Sequence, residues 1–154
     1  MCKKNNQHGF SVIEMLVVIF ILLILAAWGV SSYIELRAVK KVEQATQSIV
    51  ATLELAKSDA LAGRDNLPQG VKFNTDSYEL FSGTSYDTRD DEQVYTLDSD
   101  LELSTNLSGD EEIVFARLTG FANEAATISV SLVADDTVSQ SITVSEGGAI
   151  NVLP

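Results

Sequence analysis

Lys3-Lys4-Asn5-Asn6-Gln7-His8-Gly9-Phe10-Ser11-Val12-Ile13-Glu14, running on into the apolar MLVVIFILLILAAWGV of residues 15–30, is the stretch that decides how this chain is built. A short basic, polar lead meets a glycine, and from Phe10 to Val30 only Ser11 and Glu14 are polar. A helix of about 20 residues spans the ~30 Å hydrocarbon core of a bilayer, so residues 10–30 are expected to cross a membrane. A buried core helix is the competing reading, but a domain of this size has too little interior to surround so long an apolar run on every face. The other competitor is a secretory signal peptide cut near Ala27-Trp28-Gly29. Its apolar core would run only about 7–15 residues and would not contain Glu14.

Working outward, the helical signal continues past the apolar run. Val39, Val42, Ala45, Ile49, Leu53, Ala56 and Ala60 recur at steps of three or four, so residues 31–63 read as an amphipathic continuation whose apolar stripe receives the rest of the protein. A partner-helix coiled coil is the alternative use of that stripe, but the repeat is not a strict heptad. No proline occurs from Phe10 to Ala62, Gly63 stands where a left-handed cap would end the helix, and Pro68 follows. Such a helix would be about 80 Å long, with Gly29, Ser31 and Ser32 as its weak place.

Beyond Pro68 the period falls to two. Val71 and Phe73, then Tyr78 and Leu80, flank Asn74-Thr75-Asp76-Ser77 and predict a hairpin. Leu101 and Leu103, Ile113 and Phe115, Ile128, Val130 and Leu132, Ile142 and Val144, and Ile150 and Val152 continue the alternation, with Thr127, Ser129, Ser131, Thr143 and Ser145 on the wet face. Gly83–Glu92 and Ser108–Glu112 read as loops. Residues 64–154 are therefore expected to form a β-rich head, and the fold class is α+β with the long helix packed on an antiparallel sheet.

Composition narrows the function. The chain of 154 residues carries a net charge of -12, and residues 65–154 alone carry -14, with only Lys72, Arg89 and Arg117 as cations. An acidic head repels phosphate backbones, so nucleic acid is not an expected partner. Cys2 and His8 are the only cysteine and histidine, so the head holds no disulfide, no Ser-His or Cys-His pair and no histidine metal site. No catalytic residue, metal or cofactor is expected. Asp98, Asp100 and Glu102, and Asp87, Asp90, Asp91 and Glu92, supply oxygen ligands of the kind calcium takes, but the first set alternates as on a strand and lacks the glycine-turn spacing of a calcium loop. Asn106-Leu107-Ser108 matches the short glycosylation pattern that is common by chance.

The basic lead, Gly9, Phe10 and Glu14 directly before the apolar run resemble the leader of type IV pilins and type II secretion pseudopilins. The resemblance implies a pilin-like fold whose helix has a membrane-embedded first half. It also implies that prepilin peptidase removes residues 1–9 by cutting between Gly9 and Phe10, and that Phe10 becomes the N-methylated first residue. Glu14 would then be the fifth residue of the processed chain. A carboxylate is unfavourable in a membrane helix, which argues for a purpose. In this family it is assembly, through pairing with the amine of a neighbouring subunit.

Ile113-Val114-Phe115 with Gly120, the β pattern of 128–132, Ile142 to Ile150 with Gly147-Gly148, and Leu53, Ala56, Lys57 and Ala60 are similar to the GspH/FimT type of minor subunit. The family often has arginine where Lys57 stands, and many major pilins have a helix-kinking proline where Ser31 stands. The implied partners are other pilin or pseudopilin subunits, the prepilin peptidase, the inner-membrane assembly platform and the lipid bilayer. The implied location is a single pass through the inner, cytoplasmic membrane with a cytosolic N-terminus and the head periplasmic or extracellular, and then an envelope filament. Charge alone leaves the orientation open, because Lys3 and Lys4 oppose Arg37, Lys40 and Lys41 across the apolar run. A non-polymerising anchored binding module, which would keep residues 1–9, and an anchored hydrolase using paired carboxylates are the alternatives.

Overall fold

A computed structural model of the chain describes residues 10–153, apart from the side chains of 27–35. Residues 1–9, and with them Cys2, His8 and Gly9, lie outside the described residues. The chain divides into two compact units, Met1–Arg37 and Ala38–Pro154.

Among the described residues the single α-helix, α1, is assigned over Val12–Ala62, 51 residues, and runs through Gly29, Ser31 and Ser32 without a gap. It starts two residues later than the apolar run does, because Ser11 supplies the first carbonyl: Glu14 N–H donates to Ser11 O at 3.0 Å and Met15 N–H at 3.2 Å. Its end is the one the glycine predicts. Gly63 has φ 66° and ψ 32°, the left-handed conformation that costs a residue without Cβ least. Gly63 N–H donates to Ala60 O at 3.1 Å, and the same carbonyl accepts Leu118 N–H at 2.8 Å. A single 3-10 turn, Arg64–Asn66, leads on to Pro68.

The Ala38–Pro154 unit contains eight strands, β1 (Gln69–Phe73), β2 (Ser77–Ser82), β3 (Asp91–Thr96), β4 (Leu101–Thr105), β5 (Glu112–Phe115), β6 (Ala126–Leu132), β7 (Asp135–Val144) and β8 (Ile150–Leu153). They form two antiparallel four-stranded sheets, in the orders β3-β2-β1-β5 and β4-β6-β7-β8. The expected hairpin is present, with Phe73 opposite Tyr78 and Val71 opposite Leu80.

Both sheets and the C-terminal half of α1 share one core. Val42, Ile49, Leu53, Ala56 and Ala60 from the helix meet Val71, Phe73, Ile113 and Phe115 from the first sheet and Leu103, Ile128, Val130 and Ile142 from the second. Ala56 and Ala60 are completely buried, and their small side chains allow a close approach of helix and sheet. Within the first sheet, Gly70 leaves room for the Phe81 ring of the neighbouring strand, since a Cβ there would stand 2.4 Å from it.

Three expectations are corrected. Val39 is half exposed although it lies in the predicted stripe, which begins in practice at Val42. Gly83–Glu92 is not wholly a loop, because β3 starts at Asp91; an edge strand tolerates the charge that made this segment read as a loop. Asp98 and Asp100 precede β4 rather than alternating along it, and only Glu102 is on the strand. Asn106 is engaged with β6: its side-chain oxygen accepts Thr127 N–H at 2.6 Å, and its own N–H donates to Thr127 O at 3.2 Å.

Candidate functional site

The segment singled out by the sequence begins, among the described residues, at Phe10, which is 78% exposed. Glu14 lies in the first turn of α1, uncovered by the rest of the chain, where a carboxylate complements the positive end of the helix dipole. Every residue from Val12 to Leu25 other than Glu14 is apolar and has between 44% and 82% of its surface uncovered by this chain. A helix apolar on all sides is stable only where something else covers it. Among the described residues no helix is long and apolar enough to cross a membrane. The apolar run of 10–30 extends into 27–35, whose side chains lie outside the described set.

The second group of singled-out residues converges in the Ala38–Pro154 unit. Lys57 Nζ donates to Gly148 O at 2.8 Å and ties α1 to the turn between β7 and β8. Gly148 has φ 76°, and a Cβ there would stand 2.2 Å from Gly120 O. Gly120, at φ 65°, in turn faces Leu61, whose side chain would be 3.0 Å from an added Cβ. The glycines at 120 and 148, far apart in sequence, are thus both required by one junction. Period-two reading could place them in turns but could not bring them together.

The acidic segments have local partners. Lys41 Nζ lies 2.6 Å from Asp100 and 3.0 Å from Asp98. The Lys41 hydrogen bond, helped by Asp100 N–H, holds the Asp98 carboxyl below its ordinary range, and the same pair raises Lys41. Arg89 pairs with Glu92. Tyr86 is held between two cations, with Arg89 3.9 Å and Lys72 4.4 Å from its ring centre. Its hydroxyl donates to Glu79, which with burial pushes the phenol up to about 12. These contacts fasten the Gly83–Asp90 loop to the first sheet, a role that its polar composition did not reveal. A hollow of about 70 Å³ lined by Asp59, Arg64, Asp65, Gln69, Asp91 and Glu92 is well below the size of small-molecule sites, and Arg64 occupies Asp59 at 2.8 Å.

Residues 4–30 match the family described as the prokaryotic N-terminal methylation motif. No curated protein matches the chain by sequence. Among solved structures, the minor pseudopilin EpsH from the type 2 secretion system of Vibrio cholerae is similar at a TM-score of 0.58 and 17% identity, over 73% of this chain and 96% of that one. The type IV minor pilin FimU of Pseudomonas aeruginosa is similar at a TM-score of 0.60 and 13% identity, over 73% of this chain and 93% of that one. The chain therefore joins a match to the N-terminal methylation motif with the pilin-like α+β fold, a long N-terminal helix and antiparallel sheets.

Proposed function

We propose that this chain is a minor structural subunit of an envelope filament, a type II secretion pseudopilus or a type IV pilus. The observation that carries the reading is positional. The methylation-motif match over 4–30 leads directly into a helix whose residues 12–25 are apolar on all sides and left uncovered by the rest of the chain. A prepilin peptidase removes residues 1–9 at the Gly9–Phe10 bond and methylates Phe10. Residues 10–30 hold the subunit in the inner membrane, with the N-terminus cytosolic and the head, residues 64–154, on the far side. On extraction through the assembly platform the same apolar surface packs against the helices of other subunits, which replace lipid as its cover.

Glu14 sets the register. Cutting at Phe10 creates an amine four residues before the Glu14 carboxylate, and in a staggered bundle a neighbour's amine neutralises it. Uncompensated, an acidic side chain in a membrane helix costs up to roughly 2.5–3.5 kcal/mol at the bilayer centre and less near an end. That is enough to favour one stagger over others.

The deciding experiment is intact mass and N-terminal sequencing of the protein from its own membranes, with and without Gly9→Val. The expected wild-type chain begins at methylated Phe10, and the variant stays uncut. A wild-type chain that keeps residues 1–9, or one cut near Gly29, would leave an anchored or secreted β domain and sink the filament reading.

A further inference from the structure

Each sheet ends on two strands that have a strand neighbour on one side only: β3 and β5 in the first, β4 and β8 in the second. An open strand edge is a template for another chain, and proteins blunt such edges with charge or cover them. Three of these edges are treated that way. β3 carries Asp91 and Glu92. β4 carries Glu102, and its Leu103 N–H donates to Thr75 O at 2.8 Å. β5 carries Glu112 and is lined by Asn123, whose N–H donates to Val114 O at 3.0 Å and whose side-chain oxygen accepts Val114 N–H at 3.0 Å. β8 differs: no charged residue occurs anywhere from Gly147 to Pro154.

The ladder to β7 identifies the open groups. Ser145 N–H donates to Ala149 O at 2.9 Å at the start of a register that sets Thr143 opposite Asn151 and Ser141 opposite Leu153. Alternation in an antiparallel pair then turns the N–H and C=O of Asn151 and Leu153 toward β7, and those of Ile150 and Val152 outward. Val152 shares a sheet face with Ile150, which packs on the core, yet Val152 is 46% exposed. Beside this edge runs a groove of about 360 Å³ between α1 and β8, lined by Glu54, Lys57, Ser58, Leu61, Ala149 and Ile150.

We propose that β8 is a strand-addition site. An extended, uncharged segment of a different polypeptide pairs with the outward main-chain groups of Ile150 and Val152 and places one large apolar side chain in the groove against Leu61 and Ile150. Main-chain bonds supply affinity in this mode of recognition, and the pocket supplies specificity. Charge selects a different polypeptide over a second copy, because self-pairing would bring together two heads whose residues 65–154 each carry -14. The site is independent of whether the chain enters a filament.

The test is hydrogen exchange on the full chain, in the membranes of its own cells and as a monomer purified in detergent, read on a peptide that begins before Gly147 and runs through 154. The outward amides of Ile150 and Val152 are expected to exchange at least about tenfold more slowly in the membranes. Val152→Pro removes an outward donor without touching the β7 ladder, so it returns Ile150 to the monomer's rate at unchanged melting temperature. Should the proline lower that temperature, Val152→Lys places a charge on the same open edge and gives the same reading. Ser58→Phe, which fills the groove, also abolishes the slowing. Equal exchange in membranes and detergent overturns the proposal, and so does a Val152→Cys disulfide joining two copies of this chain.

Discussion

From Val12 to Leu25, α1 shows apolar side chains in every direction, each at least 44% exposed. From Val42 to Ala60 the same helix confines its deeply buried side chains to one stripe, while Glu43, Gln44, Gln47 and Glu54 occupy other faces. The first pattern needs a cover from outside the chain, and the second makes its own.

The largest effect that sharpens this comparison comes from trimming one leucine on each pattern. Leu53→Ala in the stripe should lower stability by about 2–5 kcal/mol, since Leu53 is fully buried and the core cannot close over the gap. Leu22→Ala, at a position 58% exposed, should leave the thermal melting of the β signal unchanged. Equal losses from both would erase the distinction. Next comes the junction at the end of the stripe. Gly148→Ala meets Gly120 O in a left-handed conformation and should cost about 1–3 kcal/mol in a denaturant titration, while Gly109→Ala, with open space around it, tests the cost of positive φ by itself.

The smallest effect concerns Lys41, near the start of the stripe. Asp98 has its folded value lowered by Lys41, so the pairing stabilises fully above the ordinary aspartate range and is lost as pH falls through the lowered value. Lys41 is raised, so its contribution is present below its ordinary value and is lost as pH rises through the raised one. Both partners are exposed, so the midpoint should move little and the effect should fade with salt; Lys41→Met should flatten the acid side of the melting-temperature profile.

Much of this architecture is legible in the residues. The helix, its end at Gly63 and the Phe73–Tyr78 hairpin follow from local rules that act within a few positions. The β3 strand is not legible, because Asp91 and Glu92 carry a loop's composition and only the edge position makes a strand of them. The division into two sheets depends on which strands pair, and period-two alternation is silent on pairing. At the N-terminus the spacing of Gly9, Phe10 and Glu14 before the apolar run was enough to mark the motif that 4–30 matches. The Lys57–Gly148–Gly120 junction was visible only as separate residues, since its logic is a contact between a helix and two turns.

The way α1 is seated also determines how the Ala38–Pro154 unit bears load. The stripe from Val42 to Ala60 extends about 27 Å along the helix axis, so a pull in that direction loads its contacts together, in shear, rather than peeling them one by one. At the far end the Ala60 carbonyl accepts Leu118 N–H from the connection between β5 and β6. Axial tension therefore passes from helix to sheet over the full length of the seat, the arrangement in which a joint made of weak contacts is mechanically strongest.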